Sequence, residues 1–466
     1  MKTMNFNQKY AFVYQRLIRY WGRKPVNMCS TYVKKYSKEG DIILDPFGGA
    51  GSIILSSIIN KRRSIYIDAN PYAWLIAYVM INGVHDPAKY MEAVSRILNR
   101  DRIYFVVANR NHWITRDTLY KLYCPICKEN KEIKHVVWES DNSRALLSCG
   151  HLNEYEDIIG FPLKIYPFPR DAKLFYQDGK PFLKKRNYNT VSEFFTNRNL
   201  LLLSIILYEI DKIAHKFSND VTLALYLTFA SILFNSSKMA RLSGGSWGVP
   251  SYWVPNKHVE KNPFYLFHKR AILFYKYFSL LNNIKHKLDY SVSIDIKDVF
   301  NNKSTVAITL GNALDMNYLE DRSVDLIFTD PPHTNEVQYF ELSYFYWAWL
   351  SSSKRLKKLL KKLFGREVIL DFNVELTVNP FQDKNFDTYL KMFNSFLKEA
   401  RRVIKNDGHF LLILHEERKE MLYQMLKLIT NHFRIKHVDK KKLAQRNIGY
   451  RLPNGRIMEI YILKKK

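Results

Sequence analysis

Asp330, Pro331, Pro332 and His333 follow directly on the apolar run Val324 to Phe328 and on Thr329. Two consecutive prolines can neither extend a hydrogen-bonded central strand nor continue a helix. They therefore fix the chain just past a sheet edge and hold the Asp330 carboxylate in one direction. A rigid acid of this kind suits chemistry at the exocyclic amine of a base, a poor nucleophile because its lone pair is delocalised into the ring. Hydrogen bonds from the two amine protons, one accepted by the Asp330 carboxylate and one by the Pro331 carbonyl, pull the nitrogen toward tetrahedral geometry. Its lone pair then points at an electrophile, and orientation carries much of the catalysis. The flat ring of His333 is able to stack on a base extracted from a duplex, less well than tyrosine would.

A second constellation lies far earlier in the chain, in GDIILDPFGGAGSIILSSIINKRRSIYIDANPYAW, Gly40 to Trp74. Ile42 to Leu44 form a short apolar run suited to a buried parallel strand. Gly48, Gly49 and Gly51 follow at once, and the apolar face of Ile53, Ile54 and Leu55 opens a helix. Glycine is needed in such a turn because a Cβ would meet the ligand or forbid positive φ, while the helix amino terminus offers unpaired N–H groups. The next strand, Ser64 to Ile67, ends in Asp68, whose carboxylate can accept both hydroxyls of a ribose. An adenosine-containing cofactor is implied, and the turn alone does not choose between NAD and S-adenosylmethionine.

These groups must be positioned by an open α/β sheet. Val306 to Leu310 and Val324 to Phe328 are two further strand candidates, each ending in polar residues of the kind that line the carboxyl edge, where ligands bind. RRVIKNDGHFLLILHEE predicts a helix ending near Asp407 and Gly408 and a buried strand from Phe410 to Leu414, with a final strand at Ile457 to Leu463. The glycine turn and Asp330 are expected at one edge of that sheet.

Between the two halves lie insertions. CPIC at Cys124 to Cys127 and SCGH at Cys149 to His151 give C-x2-C, a 21-residue gap and C-x-H. Cys124, Cys127, Cys149 and His151 make a chemically reasonable structural Zn2+ site, with KEIKHVVWES forming the β-hairpin of a ribbon. Three clustered cysteines in a chain without secretory features favour metal over disulfide, and Cys29 reads as a plain buried residue. The following segment has helix-like apolar spacing, as in Leu201, Ile205, Leu207 and Ile210. Ser236 to His258 mixes basic, aromatic, glycine and proline residues in a way suited to DNA contact. SKRLKKLLKKLFGRE is an amphipathic basic helix, with Lys354, Arg355, Lys357, Lys358, Lys361, Lys362 and Arg366 around Leu356, Leu359, Leu360 and Leu363.

The 466 residues carry a formal net charge of +28, which a polyanion partner turns from self-repulsion into attraction. With 47% hydrophobic residues the chain is expected to be globular and not disordered. MKTMNFNQKY lacks the apolar core of a signal peptide, and the longest apolar stretches, Leu200 to Leu207 and Ala224 to Phe234, fall short of a membrane span. A cytoplasmic location and no membrane partner are expected.

LDPFGGAGS with IDANPYA, and VDLIFTDPPH with QYFELSYFYWAWL, together resemble the adenine-specific DNA methylases that carry a zinc-ribbon insertion, amino-methyltransferases of the DPPY type. RYWGRKP (Arg19 to Pro25), FFTNRNL (Phe194 to Leu200) and YWVP (Tyr252 to Pro255) extend the resemblance over most of the chain. It implies a doubly wound, Rossmann-like class I methyltransferase sheet with zinc-ribbon-like and mainly helical insertions. Residues 1–100 are then the cofactor half, 101–165 the ribbon, 166–300 the helical insertion and 301–466 the catalytic half. The resemblance also implies S-adenosylmethionine held by Asp45, Pro46, Phe47, Gly48, Gly49 and Gly51, ribose contact from Asp68, and adenine-moiety contact near Asn312 and Ala313. Catalysis on DNA falls to Asp330, Pro331, Pro332 and His333, the histidine departing from the usual aromatic. The competing expectations are a cytosine-N4 or RNA base methyltransferase and a DNA-binding module without turnover. A restriction or defence partner protein is left unidentified.

Overall fold

The computed structural model describes residues 13–14, 17–18, 20–99, 102–107, 110–115, 119–139, 142–155, 166–241, 252–334, 337–443 and 456–466. The amino-terminal decapeptide, Arg19 of RYWGRKP and residues 242–251 of the basic aromatic segment lie outside the described residues. Two compact units emerge, the first formed by Met1–Gly83, Ser279–Ser343 and Val368–Lys466, the second by Val84–Phe278 and Tyr344–Glu367.

The first unit is mixed α/β. Its strands are β1 (Ile42–Asp45), β2 (Arg63–Asp68), β3 (Val292–Ser293), β4 (Val306–Leu310), β5 (Val324–Thr329), β6 (Ile404–Leu414), β7 (Phe433–Leu443) and β8 (Arg456–Lys465). They join in one sheet in the order β3-β4-β2-β1-β5-β6-β8-β7. Pairing is parallel from β3 through to β6, and β8 runs antiparallel to both its neighbours. Every residue of β1 is buried, as befits a central strand covered on both faces. Alternation assigns the faces. Ile42 and Leu44 join Ile65, Ile67, Ile327, Phe410 and Leu412 in a core shared with the helices Phe386–Val403 and Lys419–His432. Ile43 faces the other way and packs with Leu326, Phe328, Leu411 and Ile413 against Cys29, Tyr32 and Val33 of the helix Val26–Tyr36. Cys29 is the plain buried residue expected, and burial pushes its thiol well up.

The helix before β6 stops at Val403, short of the end expected near Asp407 and Gly408, and β6 begins at once at Ile404. The register explains this. Val324 pairs with Ile404 but Leu326 with His409, so the polar residues between form a bulge in the strand, not a last helical turn. Glycine is required there: a Cβ on Gly408 would come to 2.9 Å from the Asp325 carbonyl oxygen.

In the second unit the helices Asn197–Ile213 and Asn219–Leu233 are almost wholly buried. Lys354–Phe364 is helical, with Leu356 and Leu360 buried and Lys354, Lys357, Lys358, Lys361 and Lys362 exposed. The cysteine-bearing segment forms the strands Lys121–Cys124, Glu129–Glu139, Asn142–Leu147 and Leu152–Glu154, with Lys257–Glu260 added on Glu129–Glu139. KEIKHVVWES therefore does not fold into a hairpin by itself. It supplies most of one long strand, which pairs with Lys121–Cys124, Asn142–Leu147 and Lys257–Glu260, because it contains no glycine, proline or asparagine to turn on. Arg198 of FFTNRNL, 1% exposed, pairs with Glu260 at 2.7 Å and lies between the rings of Tyr120 and Tyr155, at 4.2 and 4.3 Å. A buried guanidinium held this fully is a structural tie. No helix among the described residues is long and apolar enough to cross a membrane.

Candidate active site

The carboxyl ends of β1, β2 and β5 are side by side in the sheet, and each ends in or just before an acid: Asp45, Asp68 and Asp330. Asp45 is 1% exposed; its Oδ1 accepts from the Thr329 hydroxyl at 2.7 Å, and Thr329 Oγ1 accepts from the Phe47 amide at 3.3 Å. Burial pushes the Asp45 carboxyl up to about 8, against the opposing hydrogen bonds from Thr329 and the Phe47 amide. Asp45 thus ties the glycine turn to the strand that carries the Pro-Pro loop.

The turn itself is closely built. Gly48 N–H donates to the Ile67 carbonyl at 2.9 Å, and Gly49 N–H to Asp68 Oδ2 at 2.7 Å. Asp68 Oδ1 accepts from Asn70 N–H at 2.8 Å, and Tyr66 O–H donates to the Gly49 carbonyl at 2.7 Å. Burial pushes the Asp68 carboxyl up to about 6 despite those amide donors. Gly51 begins the helix Ser52–Ile59 with φ +78°, a conformation that disfavours a side chain.

Asp330 lines a cavity whose empty space, counted together with its solvent-filled mouth, is about 830 Å³. Asp45, Pro46, Phe47, Gly48, Gly49, Asp68, Asn312, Ala313, Asp330 and Pro332 all line it, so the sequence-distant segments do open onto a common space. Gly51, Pro331 and His333 are not among its lining residues: Gly51 is turned toward Tyr14 and Ile81, and Pro331 is buried. His333 lies with Nε2 3.2 Å from Asp330 Oδ1 and its ring centroid 6.1 Å from that of His415, so its polar edge is turned to the acid. The loop is clamped from behind. Tyr389 O–H donates to the Pro332 carbonyl at 3.0 Å, and the Thr334 carbonyl accepts from Val378 N–H and the Thr377 hydroxyl, both at 2.9 Å.

Lys24 was not singled out in the sequence, although RYWGRKP contains it. Its ammonium is ion-paired with Asp330 Oδ2. Burial pushes the Asp330 carboxyl up, but the Lys24 ammonium and His333 outweigh it and hold the group below its usual range. The acid is therefore ionised at neutral pH and ready to accept protons in hydrogen bonds. Tyr20, Gly22, Tyr339, Phe340 and Glu375 also line the cavity. Tyr20 stacks on Tyr339 with centroids 5.9 Å apart, and a Cβ on Gly22 would fall 2.3 Å from the Tyr339 hydroxyl. Aromatic residues and a lone Glu375 on separate segments carry no local spacing that would have marked them.

In the second unit, ligand atoms of Cys124, Cys127, Cys149 and His151 all lie within 4.8 Å of one another. Sγ of Cys124 and Sγ of Cys127 are 3.4 and 3.5 Å from His151 Nδ1, and Cys149 Sγ is 3.9 Å from Cys124 Sγ. A tetrahedron with metal–sulfur bonds of about 2.3 Å has edges of roughly 3.8 Å, so the donor set fits zinc. The sulfurs are linked: against burial, the amides of Cys127 and Ile126 and the His151 ring bring the Cys124 thiol down to about 6, while burial and the neighbouring sulfurs push Cys127 up to about 11, so a single thiolate is favoured in this cluster before a metal joins it.

Residues 7–78 of the chain match the family model described as DNA methylase (N6_N4_Mtase). No curated protein matches the sequence. Among solved structures, the crystal structure of PH0226 protein from Pyrococcus horikoshii OT3 is similar at 12% identity over 38% of this chain and 70% of that one, with a TM-score of 0.18.

Proposed function

We propose that the chain is an S-adenosylmethionine-dependent DNA methyltransferase acting on an exocyclic base amine, with adenine N6 as the target. The reading is carried by the shared cavity, into which a nucleoside-type glycine turn and an acid fixed by two prolines both open. The parallel sheet with its single reversed strand near one edge agrees with the class I methyltransferase arrangement. The match of residues 7–78 to a DNA methylase family model supports the same chemistry.

S-adenosylmethionine supplies, when bound, a methyl group made electrophilic by the sulfonium. Everything else falls to the chain. Gly48 lets the Tyr66 ring pack directly against the turn and Gly49 takes a positive φ there, which together set the shape of the cradle, and Asp68 turns its remaining lone pairs to the ribose. Asp330 accepts one amine proton in a hydrogen bond and the Pro331 carbonyl accepts the other. Lys24 pairs with Oδ2, and the amine is received at the Asp330 lone pairs that this ion pair leaves unused. No covalent intermediate with the protein is required. The exposed lysines of Lys354–Phe364, with the net charge of +28, supply phosphate contacts. The Cys3His cluster binds one structural zinc, because four protein ligands leave no open position. Elemental analysis of purified protein is expected to find about one zinc per chain. Cys149→Ser loses the metal and melts at a lower temperature, and wild-type protein free of zinc with an unchanged melting curve would remove the metal from the proposal.

The substrate is tested by incubating the protein with methyl-labelled S-adenosylmethionine and either duplex DNA or structured RNA, then digesting to nucleosides. Label in N6-methyldeoxyadenosine is the expected result. Label in N4-methyldeoxycytidine or in a ribonucleoside moves the reading to those targets, and DNA binding with no label in any nucleoside leaves a binding module.

A further inference from the structure

Glu375 is 2% exposed and belongs to no motif, yet it lines the same cavity as the glycine turn and Asp68. Its Oε1 accepts from Phe340 N–H at 2.9 Å, at the start of the helix Tyr339–Ser352. Oε2 is buried without a hydrogen-bond partner among the described residues. Lys384, the nearby cation, donates instead to the main-chain carbonyls of Phe372 and Glu375, at 2.6 and 2.9 Å. A carboxylate oxygen taken out of water and left unbonded is costly, and chains rarely keep one without a use.

Its surroundings say which end of the cavity it serves. Tyr20 connects the two acids: a Cβ on Gly49, whose N–H donates to Asp68, would meet its ring at 3.4 Å, and the same ring stacks on Tyr339, the neighbour of the Phe340 amide that Glu375 accepts. Asp68 has already given one lone pair on each oxygen to the amides of Gly49 and Asn70. A ribose presents two hydroxyl donors, and Glu375 Oε2, buried on the cavity lining with no hydrogen bond of its own among the described residues, is an acceptor beyond Asp68.

We propose that Glu375 is a second ribose acceptor of the cofactor site, taking one sugar hydroxyl while Asp68 takes the other; this rests on the nucleoside-cofactor reading above. Burial pushes the Glu375 carboxyl up to about 8, against the Phe340 amide and the Lys384 ammonium, and Glu341 adds to the rise. A hydroxyl donor bound to Oε2 replaces part of the lost solvation.

The experiment is calorimetric titration of the full chain with S-adenosylhomocysteine and its 2′-deoxy and 3′-deoxy forms. Glu375→Leu is expected to weaken S-adenosylhomocysteine about tenfold to a hundredfold, and Glu375→Gln, which keeps an acceptor oxygen, about threefold or less. One deoxy form loses the same large factor on the wild type and nothing further on E375L. Equal deoxy penalties on wild type and E375L overturn the assignment, as does an E375Q loss as large as that of E375L. Should E375L fail to fold by its melting curve, Glu375→Asp, which withdraws the carboxylate, is titrated in its place against the same expectations. A wild type that binds none of the three ligands refutes the cofactor reading itself, a result distinct from any of these.

Discussion

Asp330→Ala is expected to slow single-turnover methyl transfer by about a thousandfold while leaving affinity for S-adenosylhomocysteine within a few-fold of wild type. Under the proposed mechanism the alanine removes the acceptor that fixes the amine, a contact made to the substrate and not to the cofactor. It leaves the glycine turn, Asp45 and Asp68 with all their hydrogen bonds. Lys24 loses its ion-pair partner, so part of any defect comes from a part-buried ammonium left with less charge compensation. Asp330→Asn separates the two effects. It keeps one acceptor and nearly the same volume, and it is expected to retain more transfer than D330A, falling about tenfold to a hundredfold. Equal rates for wild type and D330A would show that the acid does not touch the reacting amine.

The second large effect is steric. A Cβ on Gly48 would lie 2.2 Å from both Cδ2 and Cε2 of Tyr66. That ring has no room to retreat: Tyr66 is fully buried in β2, and its hydroxyl is bonded to the Gly49 carbonyl. Gly48→Ala therefore costs about 3 kcal/mol of stability, or shifts the turn and destroys the cofactor cradle, since overpacking a rigid site has few outlets. Gly49→Ala is the control. Its Cβ would meet Tyr20 at 3.4 Å, ordinary contact, and the main charge is about 1 kcal/mol for a side chain at φ +50°. Denaturant melts and S-adenosylhomocysteine titration of the two variants should therefore rank G48A well below G49A; comparable behaviour contradicts the packing described at Tyr66.

How much of this was legible in the sequence follows from how local each signal is. Ile42 to Leu44 before three glycines, and Val324 to Phe328 before two prolines, announce a buried strand and its end within a few residues, and both strands are where the patterns put them. The helix ends at Val403 and not near Gly408 because Asn406, Asp407 and Gly408 serve as well in a bulge as in a helix terminus, and only the partner strand decides. KEIKHVVWE alternates well enough for a strand, but whether a strand turns back on itself depends on turn residues it lacks. In the site, Asp68 and Asp330 stand out because strand ends precede them. Lys24 and Glu375 do not, since one is a lysine among many in a basic chain and the other gains its meaning only from being buried beside the cavity. His333 was legible as a member of the loop, whereas the direction of its ring toward Asp330 was not.

The most direct measurement is a single turnover with enzyme in excess over duplex DNA and methyl-labelled S-adenosylmethionine, run in parallel on wild type and D330A. One cavity holding donor and amine together requires label to appear on a deoxyadenosine amine with wild type and to be absent over the same interval with D330A. Label that reaches the DNA equally well without the Asp330 carboxylate, or that never reaches a base amine, contradicts that arrangement.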